Sequence, residues 1–226
     1  MILKTRLLGK TYAFRDIKDA LAKANEDKTG DRLAGLAAET AQERVAAKVV
    51  VASLLLSDLR EHPAVPYEED EVTRIIQDDV NEPQYTKIRN WTVSDLREWI
   101  LDEKTTGADI RRLSRGLTSE MVAAVAKLMS NLDLIYAAQK IRITAHCNTT
   151  IGLPGTLSCR LQPNHTTDDP DGILASTLEG LTFGAGDAVI GLNPVTDSAQ
   201  RVKEVLERFR EVKERWNIPT QTCVLA

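Results

Sequence analysis

The sequence predicts an α/β fold: a partial (β/α)8 barrel of the TIM type, preceded by a mostly helical N-terminal region with a short β-hairpin. Three observations carry this. Residues 155–160 and 187–193 are runs too short for helices, and they close on Leu161-Gln162-Pro163 and on Pro194. Each is followed by a helical pattern: 171–183 places Ile173, Leu174, Leu178 and Leu181 at helical spacing, and 197–216 places Val202, Val205, Leu206, Phe209, Val212 and Trp216 on one face. Residues 221–226 then read as a third strand. Strands alternating with amphipathic helices form right-handed βαβ units with a parallel sheet. The strand starts recur close to the roughly 31 residues implied by ~250 residues over eight units. Residues 1–140 are therefore read as the hairpin and helical region, and 141–226 as the first strands and helices of the barrel.

In chain order, 2–7 and 10–14 flank a Leu8-Gly9 turn and form the hairpin. Asp16 caps a helix running to about Asn25, and 27–30 is a loop. The spacing Thr40-Ala-Gln-Glu43 predicts a reciprocal capping box opening a helix to Ser53, apolar through Val45, Val49 and Ala52. From 57 to 103 come short helical segments separated by His62-Pro63, Val65-Pro66 and Glu82-Pro83. The carboxylates of Glu68-Glu-Asp-Glu71 and of Asp78-Asp79 read as solvated groups, some favouring a helix dipole, and no metal is assigned to them. Trp91 and Trp99 flank an expected cap at Ser94 and fill a core or an interface. Residues 118–129, with Met121, Val122, Val125 and Leu128, predict a strong helix, and 131–140 another.

Residues 141–150 are expected to be the first barrel strand. His146 and Cys147 would point to opposite faces of it, so they are poorly placed to share a proton, and His146 reads as a buried histidine. His62 and His165 lie in loops without ligand-spaced partners. Gly184-Ala-Gly186 follows a helix, so it reads as a helix end and turn, not as a phosphate-binding loop. The polar loop 163–171 is either an ordinary strand-to-helix connection or a lid.

At 226 residues with 42% hydrophobic composition, the chain can bury a substantial core. Its net charge of -4, without a Lys or Arg block, offers no footprint for nucleic acid or an anionic membrane. The apolar stretch 45–56 is interrupted by Lys48 and is too short to span a bilayer, and the start lacks the apolar core of a secretion signal. A cytoplasmic location is expected. Cys147, Cys159 and Cys223 are odd in number and lack CxxC spacing, so they read as reduced thiols, mostly buried.

In parallel α/β folds, ligands sit at the carboxyl ends of strands, where this reading places Arg160, Gln162 and Asn193. Arg160 and Gln162 share a strand face. A donor-only guanidinium beside two amides suits a small polar substrate. The plainer alternative pairs Arg160 with a structural carboxylate and makes Asn193 a turn residue before Pro194.

The stretches Asn148-Thr-Thr-Ile-Gly-Leu-Pro-Gly-Thr156, Arg160-Leu-Gln-Pro-Asn164 and Phe183-Gly-Ala-Gly-Asp-Ala-Val-Ile-Gly-Leu-Asn-Pro-Val-Thr-Asp197 closely resemble the ethanolamine ammonia-lyase large subunit. So do Gly30-Asp-Arg-Leu-Ala-Gly-Leu-Ala-Ala38, Glu43-Arg-Val-Ala-Ala-Lys48, Thr73-Arg-Ile-Ile-Gln-Asp-Asp-Val-Asn-Glu82 and Gly116-Leu-Thr-Ser-Glu-Met-Val-Ala-Ala-Val-Ala-Lys127. The resemblance implies conversion of ethanolamine to acetaldehyde and ammonia by a radical mechanism with adenosylcobalamin. It implies that Arg160 and Asn193 contact the substrate hydroxyl, that Gln162 contacts the ammonium, and that Asn193 also lies near the corrin. Acidic partners for the ammonium would come from later barrel strands beyond Ala226. The chain is thus expected to be an N-terminal portion of a large subunit, with an open sheet edge at its last strand and little activity alone. The family implies a small-subunit partner, a large-subunit homo-oligomer and, often, a bacterial ethanolamine-utilisation microcompartment. Two other readings stay open: a non-catalytic oligomerisation or interaction module, and an unrelated barrel using Arg160 to bind a phosphorylated or carboxylate substrate.

Overall fold

The computed structural model describes residues 2–225, which fall into two compact units, one running to Ile141 and the other starting at Arg142. The first is mostly helical. Strands β1 (Leu3–Leu7) and β2 (Lys10–Phe14) pair antiparallel from Leu3↔Phe14 to Leu7↔Lys10. Leu8 and Gly9 both take positive φ, 49° and 81°, the backbone twist that a two-residue hairpin turn needs. Alternation along β2 buries Tyr12 and Phe14.

Helix α1 (Ile17–Lys23) starts at Asp16, whose carboxylate accepts the Asp19 N–H at 2.8 Å. The expected loop at 27–30 instead runs into a short helix, α2 (Thr29–Leu33). Helix α3 (Ala41–Ser53) is capped by Thr40, which accepts from Glu43 N–H at 3.1 Å, but the predicted reciprocal box does not close. The Glu43 carboxylate instead accepts from Glu39 N–H at 2.7 Å and from the Lys23 ammonium at 2.5 Å. The lysine draws it away from the Thr40 backbone.

The buried stripe of α3 also differs from the expected one. It consists of Ala46, Ala47, Val50 and Val51, whereas Val45 and Val49 stand about half exposed. Ala20 and Ala24 are likewise fully buried, and α3 packs on both α1 and β1. Alanine leaves little between neighbouring backbones, so the close-packed face is the one with the smaller side chains.

Seven further helices complete this unit among the described residues: α4 (Leu56–Glu61), α5 (Glu71–Asp78), α6 (Glu82–Ile88), α7 (Val93–Leu101), α8 (Gly107–Ser114), α9 (Ser119–Leu128) and α10 (Asn131–Lys140). Glu82-Pro83 opens α6 and does not break the chain, because a proline in the first turn lacks only an N–H that would have no helical partner. Asp70 caps α5 through Thr73, and Glu71 pairs with Arg74, so both acidic groups are spent on the helix start. Helix α7 is capped by Thr92, not Ser94: Thr92 and Asp95 form a reciprocal box, as do Thr106 with Asp109 in α8 and Ser130 with Asp133 in α10. Trp91 and Trp99 meet with ring centroids 5.8 Å apart and pack against the core of this unit, as the sequence suggested.

The second unit begins with a correction. Residues 141–150 are not a strand of the parallel sheet. The chain turns back at Cys147, whose N–H donates to Thr149 O, and β3 (Ala145–His146) pairs antiparallel with β4 (Thr150–Ile151). Ile141 and Ile143 are exposed. The parallel sheet has the order β5-β6-β7, from β5 (Arg160–Leu161), β6 (Val189–Leu192) and β7 (Gln221–Val224), joined by α11 (Pro170–Thr182) and α12 (Ala199–Trp216). The predicted run 155–160 contributes only its last residue to β5, since Gly155 already lies in a turn at φ 74°. Ala226, the last residue of the predicted third strand, lies outside the described residues.

The two helices pack Ile173, Val205 and Phe209 on Ile190 and Leu192, with Leu161, Leu181 and Val224 around them. Trp216 does not join this face. It is about half exposed beneath the Arg215 guanidinium, because α12 ends at Asn217 in the left-handed conformation, φ 49°. Gly184 and Gly186 take positive φ and turn the chain out of α11, as expected. The architecture is thus mixed helix and strand. The three parallel strands among the described residues do not close into a barrel.

Candidate functional site

The parallel register sorts the sheet into two faces. Leu161 pairs with Ile190, and Ile190 with Thr222; Leu192 pairs with Val224, and this set meets α11 and α12. Arg160 pairs with Val189, Val189 with Gln221, and Gly191 with Cys223, so these side positions point the other way. Gln162 and Asn193 extend the second set by one alternation past β5 and β6. The apolar face is covered by helices, and the opposite face is polar. All three predicted site residues belong to this face, but only Gln162 and Asn193 lie just past the carboxyl ends of their strands; Arg160, expected there too, opens β5 opposite Val189, the first residue of β6.

Arg160, Gln162 and Asn193 are exposed, and among the described residues none of their side chains makes a hydrogen bond or ion pair. No carboxylate among the described residues pairs with Arg160. What does touch Arg160 is the central strand. A methyl group placed on Gly191 would lie 2.5 Å from Arg160 Nη2 and 2.8 Å from its Cζ and Nε. The guanidinium rests over Gly191, two residues before Asn193.

The loops behind these side chains are tied together. Asn164 Oδ1 accepts the Asn193 N–H at 3.0 Å. Asp168, 1% exposed, accepts from Val195 N–H at 2.9 Å and Thr196 N–H at 2.7 Å through its two carboxylate oxygens. Those two backbone donors hold its carboxyl below the usual carboxylate range. Its φ of 53° is one that Asp tolerates better than most residues. The 163–171 loop is thus bonded to the 193–196 loop, which fits the connecting-loop reading of that stretch. At the opposite ends of the strands, Asp187 accepts from Thr149 Oγ1 and, at 2.6 Å, from Cys159 N–H, joining the β3–β4 hairpin to the sheet. These contacts lower its carboxyl too, with the threonine hydroxyl as the largest cause.

The remaining candidates separate. His146 is exposed, against expectation, because it sits on a two-residue hairpin arm, and its Nδ1 lies 3.1 Å from Thr150 Oγ1. Cys147 faces Thr149 O, so the histidine and the thiol do not pair. Cys147 and Cys223 are half-buried and Cys159 is exposed, so the thiols are free but not mostly buried. His165 accepts from Thr167 and Asp169 N–H at the start of α11. Among the described residues, no three His, Cys, Asp or Glu side chains gather as a metal site would require.

Sequence reasoning did not single out Gly191, Asn164 or Asp168. An isolated glycine inside a strand pattern signals close approach of another group, and Gly191 carried that signal. Asn164 and Asp168 act across some thirty residues of chain, which no local pattern reports.

Comparison with known proteins bears on the same residues. Residues 12–226 match the family model described as "Ethanolamine ammonia lyase large subunit (EutB)". The chain is 56% identical over 226 residues to the ethanolamine ammonia-lyase large subunit of Salmonella typhimurium strain LT2, and 55% identical to that of Escherichia coli strain K12. Both alignments take in 100% of this chain and 50% of the relative, so the chain spans about half the length of these relatives.

Proposed function

Because the chain belongs to the ethanolamine ammonia-lyase large-subunit family, we propose that it supplies one wall of the substrate cradle that converts ethanolamine to acetaldehyde and ammonia. The observation that carries this is the polar sheet face bearing Arg160, Gln162 and Asn193 with uncommitted side chains. The parallel β5-β6-β7 sheet with its two crossover helices is then the opening segment of a (β/α)8 barrel, and the polar face is the barrel interior.

The chemistry of the three groups orients the substrate. Two unit positive charges 4 Å apart repel by about 4 kcal/mol at an effective dielectric of ~20, so the substrate ammonium sits away from Arg160. The Gln162 carbonyl oxygen accepts from the ammonium, while Arg160 donates to the hydroxyl oxygen. Asn193 can donate or accept, and it serves the hydroxyl from the neighbouring strand. A desolvated ammonium also needs carboxylate partners. Among the described residues, the positions Arg160, Gln162, Val189, Gly191, Asn193, Gln221 and Cys223 supply none, and Asp187, two residues before Val189, is engaged by Thr149 and the Cys159 N–H; we assign those partners to the other half of the relatives' length.

Adenosylcobalamin fits the same face at Asn193, whose uncommitted amide matches the donor and acceptor chemistry of the corrin's amide side chains. When bound it supplies the radical that removes hydrogen from the carbon bearing the hydroxyl. The residues of this chain hold the substrate in register and present no competing acid or base to it.

A small subunit completes the assembly, and the large subunits associate with one another. Exposed Leu132, Ile135 and Tyr136 along α10 favour contacts through the helical unit. The same surface supports the second reading, a non-catalytic interaction module. The assembly works in the cytoplasm, within an ethanolamine-utilisation microcompartment where one is made. No helix among the described residues is long and apolar enough to cross a membrane.

The test is acetaldehyde release from ethanolamine and adenosylcobalamin by this chain with the small subunit, with and without the other half of the relatives' length. Activity only when that half is supplied supports the cradle reading. Activity without it removes the need for further carboxylates. No activity in either mixture, with small-subunit binding retained, favours the interaction module.

A further inference from the structure

The geometry points to Gly191 as a positioning residue for Arg160: the side chain missing from the central strand is the seat on which the guanidinium rests. Two observations support it. The three heavy atoms nearest to a methyl group built on Gly191 are Nη2, Nε and Cζ of Arg160, at 2.5 to 2.8 Å. That is well inside the ~3.5–4.0 Å at which carbon and its neighbours are comfortable, so any side chain there displaces the guanidinium. Gly191 is also absent from the glycines with positive φ, so its backbone makes no demand for glycine. Glycine weakens a strand interior, and space for Arg160 is what it gains here.

The seat determines where the donors of Arg160 end up. Arg160 starts on β5, yet its guanidinium lies over β6, in the same column of side positions as Asn193. Gly191 thereby brings onto one strand the two groups assigned to the substrate hydroxyl. With a side chain at 191, the guanidinium would have to lift off β6 or swing aside, and the hydroxyl would keep only Asn193. This rests on the cradle reading above, and it identifies the glycine as a determinant of hydroxyl recognition.

The experiment measures equilibrium binding of labelled ethanolamine, and competition by ethylamine, to the assembly active in the acetaldehyde assay. Wild type is compared with Gly191→Ala, Arg160→Ala and the double variant. Expected are a loss of affinity of about tenfold for Gly191→Ala and at least as much for Arg160→Ala. The double variant should be no worse than Arg160→Ala, because its methyl group then meets an emptied seat. Ethylamine, which has no hydroxyl, should bind equally to wild type and Gly191→Ala, an outcome that general damage to the strand would not give. Unchanged ethanolamine affinity in Gly191→Ala, with a loss in Arg160→Ala, overturns the role of the glycine and leaves the cradle standing. Unchanged affinity in Arg160→Ala overturns the cradle reading and the seat together. If Gly191→Ala fails to fold, the double variant decides: folding like Arg160→Ala supports the seat, and failing in the same way overturns it.

Discussion

Asn164 accepts the backbone N–H of Asn193 at 3.0 Å, so a residue one turn beyond β5 fixes where the chain leaves β6. Removing that acceptor should free the Asn193 segment without touching the core. On the cradle reading proposed above, Asn164→Ala is expected to weaken ethanolamine binding by about three- to tenfold, the effect of one hydrogen bond, with little change in melting temperature. Asn164→Asp keeps an acceptor and should lose less. Equal losses in the two variants would mean that the Asn164 amide nitrogen, not its oxygen, matters.

Asp168 joins the same two loops more firmly, since both carboxylate oxygens are used and the side chain is buried. Asp168→Ala removes two acceptors and leaves alanine at a positive φ. A destabilisation of about 1–3 kcal/mol is expected, read from the urea midpoint of the assembled subunit. Asp168→Asn keeps one acceptor and a residue at ease with that φ, so it should fall in between.

The pH dependence has a definite sign. The carboxyls of Asp168 and Asp187 lie lower in the folded protein than in the unfolded chain, because backbone N–H groups and a threonine hydroxyl favour their charged forms. Their contribution is therefore present above the unfolded value of about 3.9 and is lost as pH falls through the lower folded values. Melting temperature followed from pH 6 downwards should drop more steeply in wild type than in Asp168→Asn. A parallel pair of curves would remove Asp168 from the explanation.

Gly107 and Gly180 make a matched pair of substitutions. A side chain at Gly107, the first residue of α8, would run into the backbone carbonyl of Lys140 at the end of α10. At Gly180 on α11 the nearest atoms it would meet are those of the Leu161 side chain, its two Cδ atoms first. Backbone cannot yield as a leucine tip can. Gly107→Ala should cost about 1–3 kcal/mol in thermal unfolding, and Gly180→Ala distinctly less.

What the sequence disclosed follows the range of the interactions involved. Asp16 and Thr40 cap their helices as local spacing implied, because a cap is settled within four residues. The face of α3 was misjudged because Ala46 and Ala47 weigh little in an apolar count yet allow the closest packing. Residues 141–150 were expected to be one strand, but the chain reverses at Cys147, held by Thr149 and by Asp187, the latter about forty residues away. That Arg160 and Gln162 share a face, and that Asn193 follows the end of a strand, was legible because period two and strand ends are visible in one dimension. Their support from Gly191, Asn164 and Asp168 exists only once the strands pair.

The serial caps of the helical unit also bear on the order of folding. Thr92 with Asp95, Thr106 with Asp109 and Ser130 with Asp133 each specify a helix start from residues three apart. Each such helix can begin within microseconds, before any distant partner arrives. The β5-β6-β7 sheet has no such shortcut, since every parallel pairing must wait for a whole crossover helix to bring its second strand back. During synthesis the helical unit emerges first and can organise itself as it leaves the ribosome, at about 5–20 residues per second. The three parallel strands come together later, once the crossovers that join them have formed.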